Sequence, residues 1–115
     1  MTKWDTVIVG LLAMTREREH EHAPAWALAI KLSEEVGELS EIMLHELGHL
    51  HHKDKEWKDT PVEESADIIN VILGLLAVHY PDKTPSELSD ELLAAMVKKG
   101  NKYGRVIGAE PNFSA

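Results

Sequence analysis

The segment that most limits how this chain can fold lies just past its middle. Val62, Ala66, Ile68, Ile69, Val71, Ile72, Leu73, Leu75, Leu76 and Val78 point in nearly every direction when projected on a helix at about 100° per residue. A helix apolar all round must be enclosed by other elements. Thr60-Pro61, with Glu63 and Glu64 in the first turn, opens it and Pro81 closes it, which predicts a helix over 61–80. Its polar exceptions, Glu63, Glu64, Asp67 and Asn70, share one sector. Isolated buried carboxylates are costly, so acids placed there are paired, protonated, bound to a metal or left open to solvent. This helix alone does not choose among these states.

The segments around it carry the same helical signature. Pro24 opens a second helix, predicted over 24–52, on which Leu28, Leu32, Val36, Leu39, Met43, Leu47 and Leu50 mark one side. Thr2 and Asp5 resemble a capping box, and Trp4, Val7, Ile8, Leu11, Leu12 and Met14 continue at helical spacing, predicting a first helix over 3–18. The β-branched run Thr6 to Val9 before Gly10 could also be a strand, but a lone strand would find no partner. Thr84-Pro85-Ser86-Glu87 is a capping box with proline at the first helical position, predicting a fourth helix over 85–100 before Gly100. The expected fold is all-α: a single domain over residues 1–115, built as a four-helix bundle. Three neighbours in one small chain fall short of covering the third helix, so completion by oligomerisation into a homodimer or homotetramer is expected.

Composition narrows the function classes. Twenty acidic against twelve basic residues give a net charge of −8, which argues against a surface built to neutralise nucleic-acid phosphates. Absence of cysteine removes disulfides and thiolate chemistry and fits the reducing cytoplasm. The apolar run Val7 to Met14 is preceded by Asp5 and followed by Thr15-Arg-Glu-Arg-Glu19 without a small-residue cleavage site, so a signal peptide is not expected. Ile68 to Val78 falls short of the roughly 20 residues a membrane helix requires, so no membrane partner is expected.

The second helix carries Glu34-Glu35-Val-Gly-Glu38, with Glu38 one turn from both other glutamates. If Glu34, Glu35 and Glu38 converge with Glu64 and Asp67 of the third helix, their repulsion calls for a divalent cation between them. Oxygen-only ligands favour Mg2+, with Mn2+ able to substitute. Gly37 inside this motif costs helix propensity and marks either a close approach or a neutral packing position.

Lys31-Leu-Ser-Glu-Glu-Val-Gly-Glu-Leu39 followed by Glu64-Ser-Ala-Asp67 resembles the paired acidic motifs of the all-α, MazG-like nucleotide pyrophosphohydrolases, and the likeness extends over residues 26 to 105. Trp26 ahead of the first motif, and Asn101-Lys102-Tyr103 with Arg105 after the fourth helix, also resemble that family, although the tail is more glycine-rich. The resemblance implies hydrolysis of a nucleoside triphosphate to the monophosphate and pyrophosphate, with dGTP the first substrate to consider. It implies metal held by Glu34, Glu35, Glu38, Glu64 and Asp67, with Glu35 or Glu38 as general base. Lys98, Lys102 and Arg105 would then bind outer phosphates and Asn101 would add an amide. Lys98 has an equal claim as a basic helix end complementing the dipole. Lys31, Trp26 and Asn70 complete the expected substrate contacts, with His45 and His79 as further pocket candidates.

A second motif competes. His45-Glu46-Leu-Gly-His49 matches the His-Glu-x-x-His pattern in which two imidazoles on one helix bind zinc. The extended form needs glycine and histidine where His52 and Lys55 stand, which leaves the third zinc ligand unassigned. A third reading is a non-catalytic helical interaction protein whose acids serve solubility.

Overall fold

The computed structural model describes residues 2–17, 24–49 and 57–114, and these form four α-helices and no strand. They are α1 (Lys3–Glu17), α2 (Ala25–Glu46), α3 (Pro61–His79) and α4 (Pro85–Val106), an all-α bundle. No helix among the described residues is long and apolar enough to cross a membrane.

Three helix starts follow the cap chemistry written in the sequence. Thr60 and Glu63 exchange side-chain and backbone hydrogen bonds of 3.2 Å, and Thr84 with Glu87 repeats the arrangement at 3.1 and 3.2 Å. At α1 the Asp5 carboxylate accepts from both the Thr2 N–H and hydroxyl, and these bonds hold its pKa below the ordinary value.

Two helix ends depart from expectation. α2 stops at Glu46, six residues before the predicted end at His52; residues 50–52 lie outside the described chain. Gly48 adopts φ 81°, its N–H donates to His45 O, and the His49 N–H donates to Leu44 O, a Schellman stop. The leucine repeat through Leu47 and Leu50 concealed this terminator. α4 does the opposite, running through Gly100 to Val106, and the same pattern of bonds ends it at Gly108, φ 81°. Gly100 and Gly104 supply space instead of a stop. The C-terminal segment folds back over them, with Phe113 3.8 Å from where a Gly100 Cβ would stand and Pro111 within 2.9 Å of a Gly104 Cβ.

α3 is the central helix. Its partners α1 and α4 enclose with it the main core of Ile8, Leu12, Leu73, Ala77 and Leu88, bordered by Leu11, Leu76 and Leu92. Arg16 at the end of α1 donates to the carbonyls of Ala77, Tyr80 and Lys83, tying α1 to the end of α3 and to the turn before α4. α2 packs on α3 alone among the four helices, antiparallel, with Leu28 opposite Gly74 and Glu35 opposite Glu64.

Candidate metal centre

The acids meet where α2 crosses the first half of α3. Val71 and Ile42 are buried on the facing sides of this pair, and the same registers that aim them inward aim Glu35 and Glu64 inward too. Carboxylate oxygens of Glu35, Glu64 and Asp67 lie within 4.8 Å of one another. Oxygens on opposite sides of one magnesium ion at about 2.0–2.1 Å are about 4 Å apart, so this spacing suits a hard cation after slight closure.

Glu64 is the unusual member. Only 5% of it is exposed, and its Oε2 is buried with no hydrogen-bond partner. A proton shared with Glu35, then burial, then the nearby Glu38 carboxyl push its pKa up to about 7. An acid sealed between other acids is the arrangement that a divalent cation relieves, because one ion supplies the positive charge and the bond that Oε2 lacks. The residues present therefore fit a divalent cation held by Glu35, Glu64 and Asp67.

The other predicted ligands stand differently. Glu38 is exposed yet close enough to Glu64 to affect its proton, which places it at the mouth of the group. Glu34 is exposed on α2 and lies outside the group of three. Lys31 pairs with Glu35 at 3.5 Å, a contact that sets a cation beside the acids. Asn70 is exposed one turn beyond Asp67, and Trp26 is exposed near the start of α2. Among the described residues nothing lies within 4 Å of where a Gly37 Cβ would stand, so none of them makes a close approach that accounts for it.

The residues expected to hold phosphates are not gathered at the acids within one chain. Lys98, Lys102 and Arg105 are exposed on α4, which does not pack on α2. Asn101 uses its amide twice on the tail, donating to Phe113 O at 3.2 Å and accepting from Phe113 N–H at 3.0 Å. Nothing in the local spacing around Asn101 signalled that contact, since it depends on where a later segment turns back.

His45 and His49 do not share a helical face, because the stop at Gly48 places His49 beyond the end of α2. His45 is half-buried with its ring 6.3 Å from that of Trp57, a neighbour whose only signal in the sequence is that it is a lone aromatic in a polar stretch. Among the described residues, neither histidine belongs to a group of three that could hold a metal. No protein-family model, curated protein or solved structure matches this chain.

Proposed function

We propose that this chain hydrolyses a nucleoside triphosphate to the monophosphate and pyrophosphate in a magnesium-dependent reaction. The observation that carries the reading is the sealed Glu64 carboxyl with its unpartnered Oε2, flanked by Glu35 and Asp67. Paired acidic motifs on two consecutive long helices, resembling the MazG-like pyrophosphohydrolases, supply the reaction class. Net charge of −8 agrees with it, since a triphosphate could approach these acids only with cations between them.

Glu35, Glu64 and Asp67 would hold the ion, with Glu38 and Glu34 as further oxygen donors on the α2 side. Bound magnesium, or manganese in its place, would neutralise phosphate charge and make a bound water acidic enough to attack near neutral pH. Glu38, which is exposed, would take a proton from that water, with Glu35 as the alternative base. Lys31 offers its ammonium beside Glu35 to an outer phosphate. Lys98, Lys102 and Arg105 would join it only where α4 of the same or another copy reaches the acids. Trp26 and Asn70 are the exposed groups on α2 and α3 available to a base or sugar, and dGTP is the substrate to try first.

The test is pyrophosphate and phosphate release from a panel of ribo- and deoxynucleoside triphosphates with magnesium, manganese or zinc. Magnesium-dependent pyrophosphate release, abolished by Glu38→Gln or Asp67→Asn, is the expected result. Peptide or ester hydrolysis that needs zinc and is lost in Glu46→Gln would replace this reading with the zinc one. Inactivity on every nucleotide, by protein whose helicity is intact, would overturn it.

A further inference from the structure

Beyond the stop at Gly108 the chain turns back along α4. The Ala109 N–H donates to Gly104 O at 2.8 Å, Pro111 lies over Gly104, and Phe113 lies over Gly100 and pairs with Asn101. Glycine at position 104 makes this path possible, because a Cβ there would collide with the Pro111 ring. Burial is not what the tail gains: Phe113 is 62% exposed, and Asn112 and Ser114 are exposed too. Its most specific contact is polar. One side-chain amide meets the backbone of one residue at two points, with Asn101 Oδ1 accepting from the Phe113 N–H at 3.0 Å and Nδ2 donating to Phe113 O at 3.2 Å.

A primary amide carries an oxygen and two N–H donors, so this pair uses the oxygen and one donor and leaves one N–H over. It also fixes which end is which. Half a turn of the amide would set nitrogen against the Phe113 N–H and oxygen against the Phe113 carbonyl, losing both bonds together. A free asparagine can turn its oxygen toward an approaching anion; a locked one cannot. The residues beside Asn101 on the helix are cationic. At about 100° per residue, Lys98, Asn101, Lys102 and Arg105 share an arc of about 100°, while Gly104 and the tail lie on the other side of Asn101. All three cations are exposed, no acid occurs from 92 to 109, and no ion pair among the described residues involves them. In a chain of net charge −8, cations kept clear of acids attract an anion.

We propose that Phe113 is a positioning residue: its backbone holds the Asn101 amide in one orientation, so that the remaining N–H donates to a phosphate oxygen bound beside Lys98, Lys102 and Arg105. This role rests on the reading above that a triphosphate is the ligand. Pro111, seated on Gly104, anchors the segment that brings Phe113 into place. Phosphate oxygens accept hydrogen bonds and carry charge, so a donor held in advance suits them, whereas an amide free to present its oxygen does not. The gain is in holding the phosphates and not in the bond that breaks, so it belongs to KM and leaves kcat alone.

Calorimetric titration with inorganic tripolyphosphate and magnesium, joined to NMR of the amide groups, tests this. In wild type the tripolyphosphate should bind and shift one of the two Asn101 side-chain amide protons, while the Phe113 amide stays protected from exchange. Phe113→Pro removes the N–H that Asn101 accepts without touching α4, and should weaken tripolyphosphate binding about 3- to 10-fold. Gly104→Ala, which displaces Pro111, should do the same, and Phe113→Tyr, which keeps the backbone pair, should bind as wild type does. Absence of binding by wild type, unchanged affinity in Phe113→Pro, tighter binding by Gly104→Ala, or loss of Phe113 protection when tripolyphosphate binds would each overturn the proposal. The last two would make the tail a block on Asn101 and not its support. With a nucleotide that is turned over, Phe113→Pro should raise KM and leave kcat unchanged. Tripolyphosphate binding that follows this pattern in a protein that hydrolyses no nucleotide would sink the enzyme reading and leave the lock standing; turnover with a wild-type KM in Phe113→Pro would do the reverse.

Discussion

The two sides of α3 are made of different material. Toward α1 and α4 it contributes Leu73 and Ala77 to a closed core in which Leu12 and Leu73 are each 1% exposed, whereas toward α2 it buries a glutamate. The first side holds the chain together through area removed from water. The second carries an acid whose isolation costs stability, a cost that the proposed cation would relieve. Stability and chemistry are therefore separable along one helix, and substitutions should show it.

The largest effect is expected on the acidic side and on activity alone. Glu64→Gln keeps shape and burial but removes the charge, so magnesium-dependent pyrophosphate release should fall by at least about 100-fold. Steady-state kinetics checks this, and retained turnover would erase the functional half of the contrast. The apolar side should answer in the opposite currency: Leu12→Ala leaves a cavity in the closed core and should cost about 2–5 kcal/mol in denaturant unfolding. Surviving protein should keep its magnesium dependence.

The pH dependence sharpens the contrast further. Folded Glu64 holds its proton up to about pH 7 against an ordinary value of 4.5, so between these values the folded state binds a proton that the unfolded chain has released. Metal-free stability should thus be highest below pH 4.5 as far as this group is concerned, and fall as pH rises through 7. Thermal melts in EDTA should show that slope, Glu64→Gln should flatten it, and magnesium should raise the melting temperature at pH 8 far more than at pH 5. A pH-independent response to magnesium would separate Glu64 from the metal.

Smaller effects belong to the edges of α4. Gly104→Ala drives a methyl group into Pro111 and should displace the tail, costing about 1–3 kcal/mol or exposing the Phe113 amide to rapid hydrogen exchange. Thr84→Ala removes the cap from the Glu87 N–H and should cost about 1 kcal/mol, with turnover untouched.

Much of this architecture was legible because caps and periodicity act locally. Thr60, Thr84 and Thr2 each announced a helix start, and the polar sector of 61–80 named Glu64 and Asp67 as residues to explain. Both misplaced ends involve glycine, whose meaning depends on its surroundings. Gly48 takes a left-handed conformation and ends α2 despite the leucines that follow, while Gly100 stays helical and a segment thirteen residues later packs on it.

The sequence by itself determined the four helices, the acids on two of them and the negative charge, because hydrogen bonding within a helix and its apolar period are properties of neighbouring residues. Only the tertiary structure decided which acids converge and which remain outside, that α4 stays away from α2, and that Asn101 is occupied by the tail. Those outcomes depend on the rotation and crossing of helices about one another, and packing sets these through contacts between residues far apart in the chain.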